Sequence, residues 1–409
     1  MASTTYAAET PFTIAVPEAD IELLHKKLDL ARFPDELEGA EWAYGAPLAD
    51  IKRLAAHWRN GFDWRKAEAA INTIPMFTRD IEVEGFGTLN LHYIHRKSDV
   101  KNAIPLLFVH GWPGHFLEVE KMLPILTGSS PDLPSFHVVA PSLPGFGFSK
   151  AVKKPGFKSS QYGELFNKLM LSLGYNEYVY QGGDWGGILG AFLVPTLEHK
   201  HIKAWHTNIP LTTPPTLIRN PLLYLEMLLS PINKTMREEL QATQHWFNAE
   251  QGYSILQQTK PQTIGYSLAD SPVGLLAWIY EKLVAWTDNY PWTDDEVLKW
   301  ISIYYFSRAG PAASVRIYYE MSNGGTKNIL AGAPKATIPT GVSYFPREVA
   351  KLPRSWAAMF GKLVYVKEHD KGGHFAAFEN PEGLASDMFA MYGKGGGAFG
   401  VVPGKNGYD

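Results

Sequence analysis

The spacing of apolar residues changes character along the chain, and this change predicts its organisation. Up to about residue 75 the apolar side chains recur at helical spacing, as at Ile21, Leu24 and Leu28. From Ile81 they alternate with other residues on both sides of a Gly-Phe-Gly turn at 85–87, which predicts a β-hairpin. We therefore expect a helical N-terminal segment that leads into a sheet.

Continuous apolar runs after the hairpin predict buried strands. They occupy residues 104–109, 136–140 and 178–180, and the segments between them have the length of helices. Strand signals return between 337 and 345 and again at 363–366. Strands that alternate with helices indicate a mostly parallel sheet that is covered by helices on both faces.

The stretch between the early and late strands has no strand signal and reads as helical, which indicates a lid inserted into the sheet domain. This pattern predicts four segments with approximate boundaries. We expect an N-terminal helical meander at 1–75, the first part of an α/β core at 76–210, a helical lid at 211–323 and the second part of the core at 324–409.

Composition and charge exclude several classes of function. The 409 residues include no cysteine, so disulfides, thiolate metal sites and cysteine nucleophiles are ruled out. A net charge of −3 argues against nucleic acid as a partner, because no basic excess is available to neutralise phosphates. The first residues lack the pattern of a signal peptide, and no apolar stretch reaches the roughly 20 residues that a spanning helix needs. We expect a soluble, cytoplasmic protein.

The strongest chemical signal is the segment 182–187, Gly-Gly-Asp-Trp-Gly-Gly, which lies between a strand signal and an apolar helical stretch. Strand, tight turn and helix form the setting of a nucleophile elbow, which usually reads Gly-x-Ser-x-Gly and here has Asp184 at its centre. The small flanking residues let the backbone approach closely and hold the central residue in a strained conformation. The structural alternative is an aspartate that caps a helix after a glycine loop.

A catalytic triad in this setting runs nucleophile, acid, histidine along the chain. Among the 13 histidines, His374 combines a late position, glycine neighbours and the correct order. The acid should lie between Asp184 and His374, and Glu348 fits this place. Its rivals Glu368 and Asp370 follow the final strand signal.

The nucleophile also needs backbone N–H groups that can hold an oxyanion. One should come from Trp185, the residue after the nucleophile. The other should come from the loop 110–114, His-Gly-Trp-Pro-Gly, after an early strand. Trp112 is the candidate donor in this loop, since Pro113 has no N–H to give.

An aspartate nucleophile points to a particular reaction. Its carboxylate is ionised at neutral pH and can attack a saturated carbon without a base. The resulting ester would then be hydrolysed by water that His374 activates while Glu348 orients the histidine. This chemistry indicates either epoxide opening or dehalogenation.

The leaving group separates these two reactions. An epoxide leaves as an alkoxide, which a pair of tyrosine hydroxyls could protonate. The lid offers tyrosines in the segments 252–254 and 316–320, and the pattern alone does not choose among them. Most of the 20 tyrosines are expected to be packing residues.

Taken together, these motifs resemble the microsomal-type epoxide hydrolases, especially the soluble fungal members. The resemblance extends over nearly the whole chain. It is carried by the segments 61–65, 110–114, 144–149, 182–187, 250–253, 260–263, 270–275 and 372–377.

The resemblance implies an α/β-hydrolase fold and an enzyme without cofactor or metal, whose partners are a small epoxide and water. By matched position it implies that Tyr253 is the first lid tyrosine, that Tyr318 is the second, with the adjacent Tyr319 as an alternative, and that Glu348 is the acid. It also suggests a homodimer. Microsomal relatives carry an N-terminal membrane anchor, which we do not expect here.

Two other functions stay open at this point. A haloalkane dehalogenase shares the aspartate elbow, the histidine and the fold, and Trp112 and Trp185 could hold a halide, but the tyrosine-bearing lid favours an epoxide. A non-catalytic ligand receptor of the same fold would often have lost a member of the triad. Esterase action is disfavoured, because attack of Asp184 on an acyl carbon would give an anhydride.

Overall fold

A single sheet runs through the part of the chain that the computed structural model describes, which is residues 9–325, 329–330 and 333–409. Nine strands belong to it among these residues. They are β1 (Thr10–Pro11), β2 (Met76–Val83), β3 (Gly87–Arg96), β4 (Ile104–Val109), β5 (Phe136–Pro141), β6 (Tyr178–Gly182), β7 (Ile202–Thr207), β8 (Pro339–Tyr344) and β9 (Lys362–Glu368).

The strands lie in the order β1-β2-β3-β5-β4-β6-β7-β8-β9. Strands β1, β2, β3 and β5 pair in antiparallel fashion, and all pairs from β5 to β9 are parallel. The predicted hairpin is present, with Val83 opposite Gly87. The prediction of a mostly parallel sheet is therefore confirmed, and strands β1 and β7 are additions to the predicted ones.

The continuous apolar runs reflect burial on both faces of the sheet. In β4, Leu107 and Val109 belong to one hydrophobic cluster, whereas Leu106 and Phe108 belong to the other. Successive side chains of a strand point to opposite faces, so a strand between two layers of helices has no polar side. All six residues of β4 are buried for this reason.

The helices form three groups along the chain. Three precede β2, five flank the sheet and seven lie in an insertion between β7 and β8, counted over the described residues. The first group is α1 (Glu18–Asp29), α2 (Leu48–Asn60) and α3 (Trp64–Ile71); the second is α4 (Leu123–Thr127), α5 (Ser159–Ser172), α6 (Asp184–Leu197), α14 (Ala376–Glu379) and α15 (Pro381–Tyr392); the insertion holds α7 (Pro221–Leu228), α8 (Lys234–His245), α9 (Gly252–Thr259), α10 (Pro261–Asp270), α11 (Pro272–Ala285), α12 (Asp294–Tyr305) and α13 (Arg316–Ser322).

The N-terminal helices pack against the insertion as well as leading into the sheet. Lys27 Nζ lies 2.9 Å from the Asp270 carboxylate, and His57 Nε2 lies 2.7 Å from that of Asp295. These contacts attach the N-terminal helices to the outer side of the insertion, whose inner surface covers the carboxyl ends of the parallel strands. Among the described residues, no helix is both long enough and apolar enough to cross a lipid bilayer.

Candidate active site

The backbone turns sharply between β6 and α6, and Asp184 lies at this turn with a φ of 45°. A positive φ strains a residue that has a Cβ atom. Close packing leaves no room for larger neighbours: a Cβ on Gly182 would lie 2.5 Å from the Gly186 carbonyl, and one on Gly186 would lie 1.9 Å from the Val109 oxygen. The strained turn expected from the motif is present. It places the Asp184 side chain at the edge of the sheet where the parallel strands end.

The loops that follow β8 and β9 bring Glu348 and His374 to this carboxylate. Nδ1 of His374 lies 2.6 Å from Oε1 of Glu348, and Nε2 lies 3.3 Å from Oδ2 of Asp184. Both Glu348 and His374 are buried. The His374 backbone N–H also donates to the Trp286 carbonyl at 2.9 Å, which holds the histidine loop in place. Three residues that are far apart in the sequence therefore form one continuous chain of polar contacts.

The two rival acids lie away from this chain. Glu368 forms an ion pair with Arg354, and its side chain is 40% exposed. Asp370 is exposed at the surface. The structure thus brings Glu348 to His374, whereas Glu368 is engaged elsewhere.

The loop after β4 supplies a hydrogen-bond donor to Asp184. The backbone N–H of Trp112 donates to Oδ1 of Asp184 at 2.6 Å. Trp185 follows Asp184 at the first turn of α6, with its indole ring buried. A helix N-terminus carries free N–H groups and the positive end of the helix dipole. These N–H groups and the dipole both favour a negative charge at this position.

Two of the candidate tyrosines face the aspartate from the insertion. Tyr253 on α9 stacks on Trp112 with ring centroids 5.3 Å apart, and Tyr318 on α13 meets the Trp185 ring edge-on at 4.7 Å. The two phenol rings are 6.0 Å apart and both are buried. Tyr319 is instead 41% exposed, so the structure turns Tyr318 and not its neighbour towards Asp184.

Asp184, Tyr253 and Tyr318 border a cavity of about 300 Å³. Larger cavities of about 550 and 510 Å³ open elsewhere, but neither is lined by Asp184, His374 or either tyrosine. The smaller cavity combines a carboxylate and two phenols with an apolar wall, which is the usual composition of a small-ligand site. The wall consists mainly of Trp185, Ile188, Ile209, Leu211, Trp246, Phe247, Ile329, Leu330 and Val349.

The buried charges shift the protonation of their neighbours. Burial lowers the pKa of His374, but the Glu348 and Asp184 carboxylates outweigh burial and raise this pKa well above its usual value. Burial, supported by the negative charge of Asp184, raises the pKa of Tyr253. The pKa of Tyr318 is also raised, mainly by burial. Both phenols are therefore protonated at neutral pH and can donate a hydrogen bond into the cavity.

One acidic residue of this region was not predicted from the sequence. Glu118 is buried beside the loop after β4, and its carboxyl fills the space that a Cβ on Gly114 would need. Burial raises the pKa of Glu118 to about 8, with His374 opposing and Asp184 adding to the shift. The available signal was a single acid within the apolar run Phe116–Val119. At neutral pH this carboxyl is mostly protonated, so it adds little negative charge to the site.

The described ranges contain no group of three or more histidine, aspartate or glutamate side chains placed to hold a metal ion. The site itself offers a carboxylate at Asp184, a histidine with a carboxylate partner, and two protonated phenols.

Comparison with known proteins gives a consistent picture. A model described as the epoxide hydrolase N terminus matches residues 9–119, and one described as the alpha/beta hydrolase fold matches residues 104–230. A protein of Stigmatella aurantiaca named "Putative epoxide hydrolase" is 40% identical over 392 residues, which cover 93% of this chain and 83% of that protein. "Epoxide hydrolase 1" of Sus scrofa is 36% identical, with 94% of this chain and 88% of the relative covered.

A solved structure extends the likeness to three dimensions. The epoxide hydrolase of Aspergillus niger superposes with a TM-score of 0.81 at 30% sequence identity. The superposition covers 94% of this chain and 96% of the fungal one, so it includes the insertion as well as the sheet.

Proposed function

The chain belongs to the epoxide hydrolase family of the α/β-hydrolase fold, and we propose that it converts epoxides to vicinal diols through a covalent ester on Asp184. The observation that carries the proposal is the polar chain from Glu348 through His374 to Asp184, with contacts of 2.6 and 3.3 Å, facing two buried tyrosines across one cavity.

In the first step the Asp184 carboxylate attacks a ring carbon while Tyr253 and Tyr318 hydrogen-bond to the ring oxygen. The carbon–oxygen bond of the ring breaks as the ester bond forms, and the phenols stabilise or protonate the developing alkoxide. The raised pKa of both phenols keeps their protons in place until that charge appears. The helical insertion acts as the lid of the site, since it supplies both tyrosines.

In the second step His374 activates water, which attacks the carbonyl carbon of the ester. Formation of the ester removes the charge of Asp184, one of the two carboxylates that raise the pKa of His374. The imidazole then gives up its proton more easily, so the first step prepares the base for the second. Glu348 holds the ring orientation, and the N–H groups of Trp112 and Trp185 serve as the oxyanion hole.

The cavity also limits the substrate class. A volume of about 300 Å³ and an apolar wall suit a small, uncharged epoxide such as one that carries a single aromatic ring. We propose this class as the substrate, with water as the second reactant.

A single-turnover experiment tests the route. Enzyme in excess over styrene oxide is incubated in water enriched in heavy oxygen, and the diol is analysed by mass spectrometry. We expect an unlabelled diol, because its new oxygen comes from Asp184, and a label that appears in the protein. A diol labelled in the first turnover would mean direct attack by water and would contradict the ester.

The His374→Gln variant provides the companion measurement. We expect it to form the ester but not to hydrolyse it, so the intact protein should gain the mass of one epoxide. Normal multiple turnover in this variant would contradict the role of His374. Halide release from a chloroalkane without diol formation from epoxides would instead favour a dehalogenase.

A further inference from the structure

A buried lysine lies against one of the two tyrosines. Lys282 on α11 is 6% exposed, and its Nζ atom lies 4.6 Å from the ring centroid of Tyr253 and 5.6 Å from that of Trp286. Its ammonium also forms an ion pair with Glu281, the preceding residue. Lys282 is not among the residues that line the cavity, so it can influence a bound substrate only through its neighbours.

Burial of this ammonium needs a reason. Removal of a charged group from water is unfavourable unless the surroundings compensate. The ion pair compensates in part, but an exposed lysine could pair with Glu281 without being buried. An apolar side chain at position 282 would pack between the same rings at no such cost. What the lysine adds is a positive charge over the Tyr253 ring.

We propose that Lys282 is a positioning residue for catalysis, whose positive charge stabilises the negative charge that Tyr253 acquires when it donates to the epoxide oxygen. This inference rests on the proposed function. As Asp184 forms its ester bond and the ring bond breaks, a proton moves from Tyr253 to the ring oxygen. The negative charge of Asp184 thereby reappears on the phenol. When the ester is hydrolysed, Asp184 ionises again and the released proton returns to Tyr253.

The geometry makes the two tyrosines unequal. Among the described residues, Lys282 makes its cation–π contacts with Tyr253 and Trp286, and none is made with Tyr318. Burial and Asp184 act on both phenols and oppose ionisation in each, and at Tyr253 the Glu281 carboxylate adds to this penalty. Lys282 is the cation placed to offset this penalty, and it does so at Tyr253. We therefore assign the proton transfer to Tyr253 and a supporting hydrogen bond to Tyr318.

The test is the rate of each half-reaction in the Lys282→Met variant, which keeps the unbranched apolar stem and removes the charge. We expect ester formation with styrene oxide in a single turnover to slow on the order of tenfold to a hundredfold, while hydrolysis of the ester keeps its rate. Lys282→Arg should retain most of the wild-type rate. Lys394→Met is the matched control, since Lys394 Nζ lies 4.4 Å from the Tyr408 ring outside the site, and we expect no change.

Two further measurements separate this role from a purely structural one. In a Tyr253→Phe background, Lys282→Met should have no additional effect on ester formation. Replacement of Tyr253 by a fluorinated tyrosine with a more acidic phenol should restore much of the rate that Lys282→Met loses. Equal losses in both backgrounds, or no restoration, would overturn the role of Lys282 while leaving the ester route intact. A wild-type enzyme that forms diol without an ester on Asp184 would overturn the proposed function as well.

Discussion

Asp184 adopts a backbone conformation that costs a non-glycine residue on the order of 1–3 kcal/mol, and the packing around it shows how this cost is sustained. Gly186 lies so close to the Val109 carbonyl that no side chain fits there. Gly111 plays a corresponding part on the other side, because a Cβ on it would lie 1.9 Å from Oδ1 of Asp184. Substitution of Gly111 and of Gly186 should therefore have different consequences.

Gly111→Ala should therefore act on the reaction more than on the fold. The added methyl group displaces a carboxylate at the wall of a cavity, so we expect kcat/KM to fall at least about a hundredfold while most of the stability remains. Gly186→Ala should instead lower the free energy of unfolding by more than about 3 kcal/mol, since two backbone segments would have to separate. Steady-state kinetics and denaturant unfolding of both variants measure this contrast, and full activity in Gly111→Ala would contradict it.

Tyr318 and Tyr319 provide a second comparison of adjacent residues. Tyr318 is buried beside Trp185, whereas Tyr319 is largely outside the site. We expect Tyr318→Phe to lower kcat/KM on the order of 10², because one of two phenol donors is lost while its ring remains. Tyr319→Phe should stay close to the wild type. The reverse order would show that the second donor comes from position 319.

At the scale of elements, the helix α15 stabilises the loop that carries His374. Asn380 precedes this helix, and its Oδ1 accepts from the Gly383 N–H at 3.2 Å. Its Nδ2 donates to the Lys371 carbonyl at 3.1 Å, three residues before the histidine. One side chain thus caps a helix and also holds the loop that carries His374.

The two roles of Asn380 can be separated by substitution. Asn380→Ala loses the cap, for which we expect about 1 kcal/mol of lost stability, and it also frees the loop. Asn380→Asp keeps the capping acceptor but cannot donate to Lys371, so stability should be largely retained. In both variants we expect kcat to fall a few-fold, and measurement of unfolding and turnover together checks this. Unchanged turnover in both variants would mean that the loop holds its shape without Asn380.

Over the whole molecule, several histidines are buried in the neutral form. Burial lowers the pKa of His92 to about 3. It lowers those of His110 and His206 to about 4, although Asp184 opposes the shift at His110 and Asp387 opposes it at His206. In the unfolded chain these groups would titrate near 6.5. Below that pH the unfolded state binds more protons than the folded state, so acid favours unfolding.

The stability of the protein should accordingly be full above about pH 6.5 and fall as the pH decreases towards 4, by about 1.4 kcal/mol per pH unit for each such histidine. His374 contributes the opposite slope, because its raised pKa gives stability that is lost as the pH rises through that value. Urea midpoints between pH 7.5 and 5 measure the net effect. His206→Gln should make the acid slope shallower.

The control for this effect is a histidine on the surface. His245 has a side chain that is 74% exposed, so His245→Gln should leave the acid slope unchanged. Equal slopes in the His206 and His245 variants would mean that burial of the neutral imidazole does not govern acid stability.

Much of the architecture and of the site could be predicted from local patterns. The hairpin, the buried strands and the elbow at Asp184 each depend on a few neighbouring residues, whose spacing and turn chemistry are visible in the sequence. Strand β7 was missed because Lys203 and His206 interrupt its apolar pattern. A homodimer and a cytoplasmic location stay predictions.

Contacts between residues that are far apart in the sequence could not be predicted from local patterns. The Trp112 N–H reaches Asp184 across 72 positions, and the choice of Glu348 over Glu368 depends on which loop reaches His374. The choice between Tyr318 and Tyr319 depends on how α13 is rotated against α9, the helix on which it packs. The local sequence does not predict the burial of Glu118 and Lys282, because a single charged residue in an apolar run is usually exposed. Steric constraints between neighbouring residues can be recognised in the sequence itself. The burial of a side chain and its protonation state, in contrast, are decided only when the packed elements exclude water.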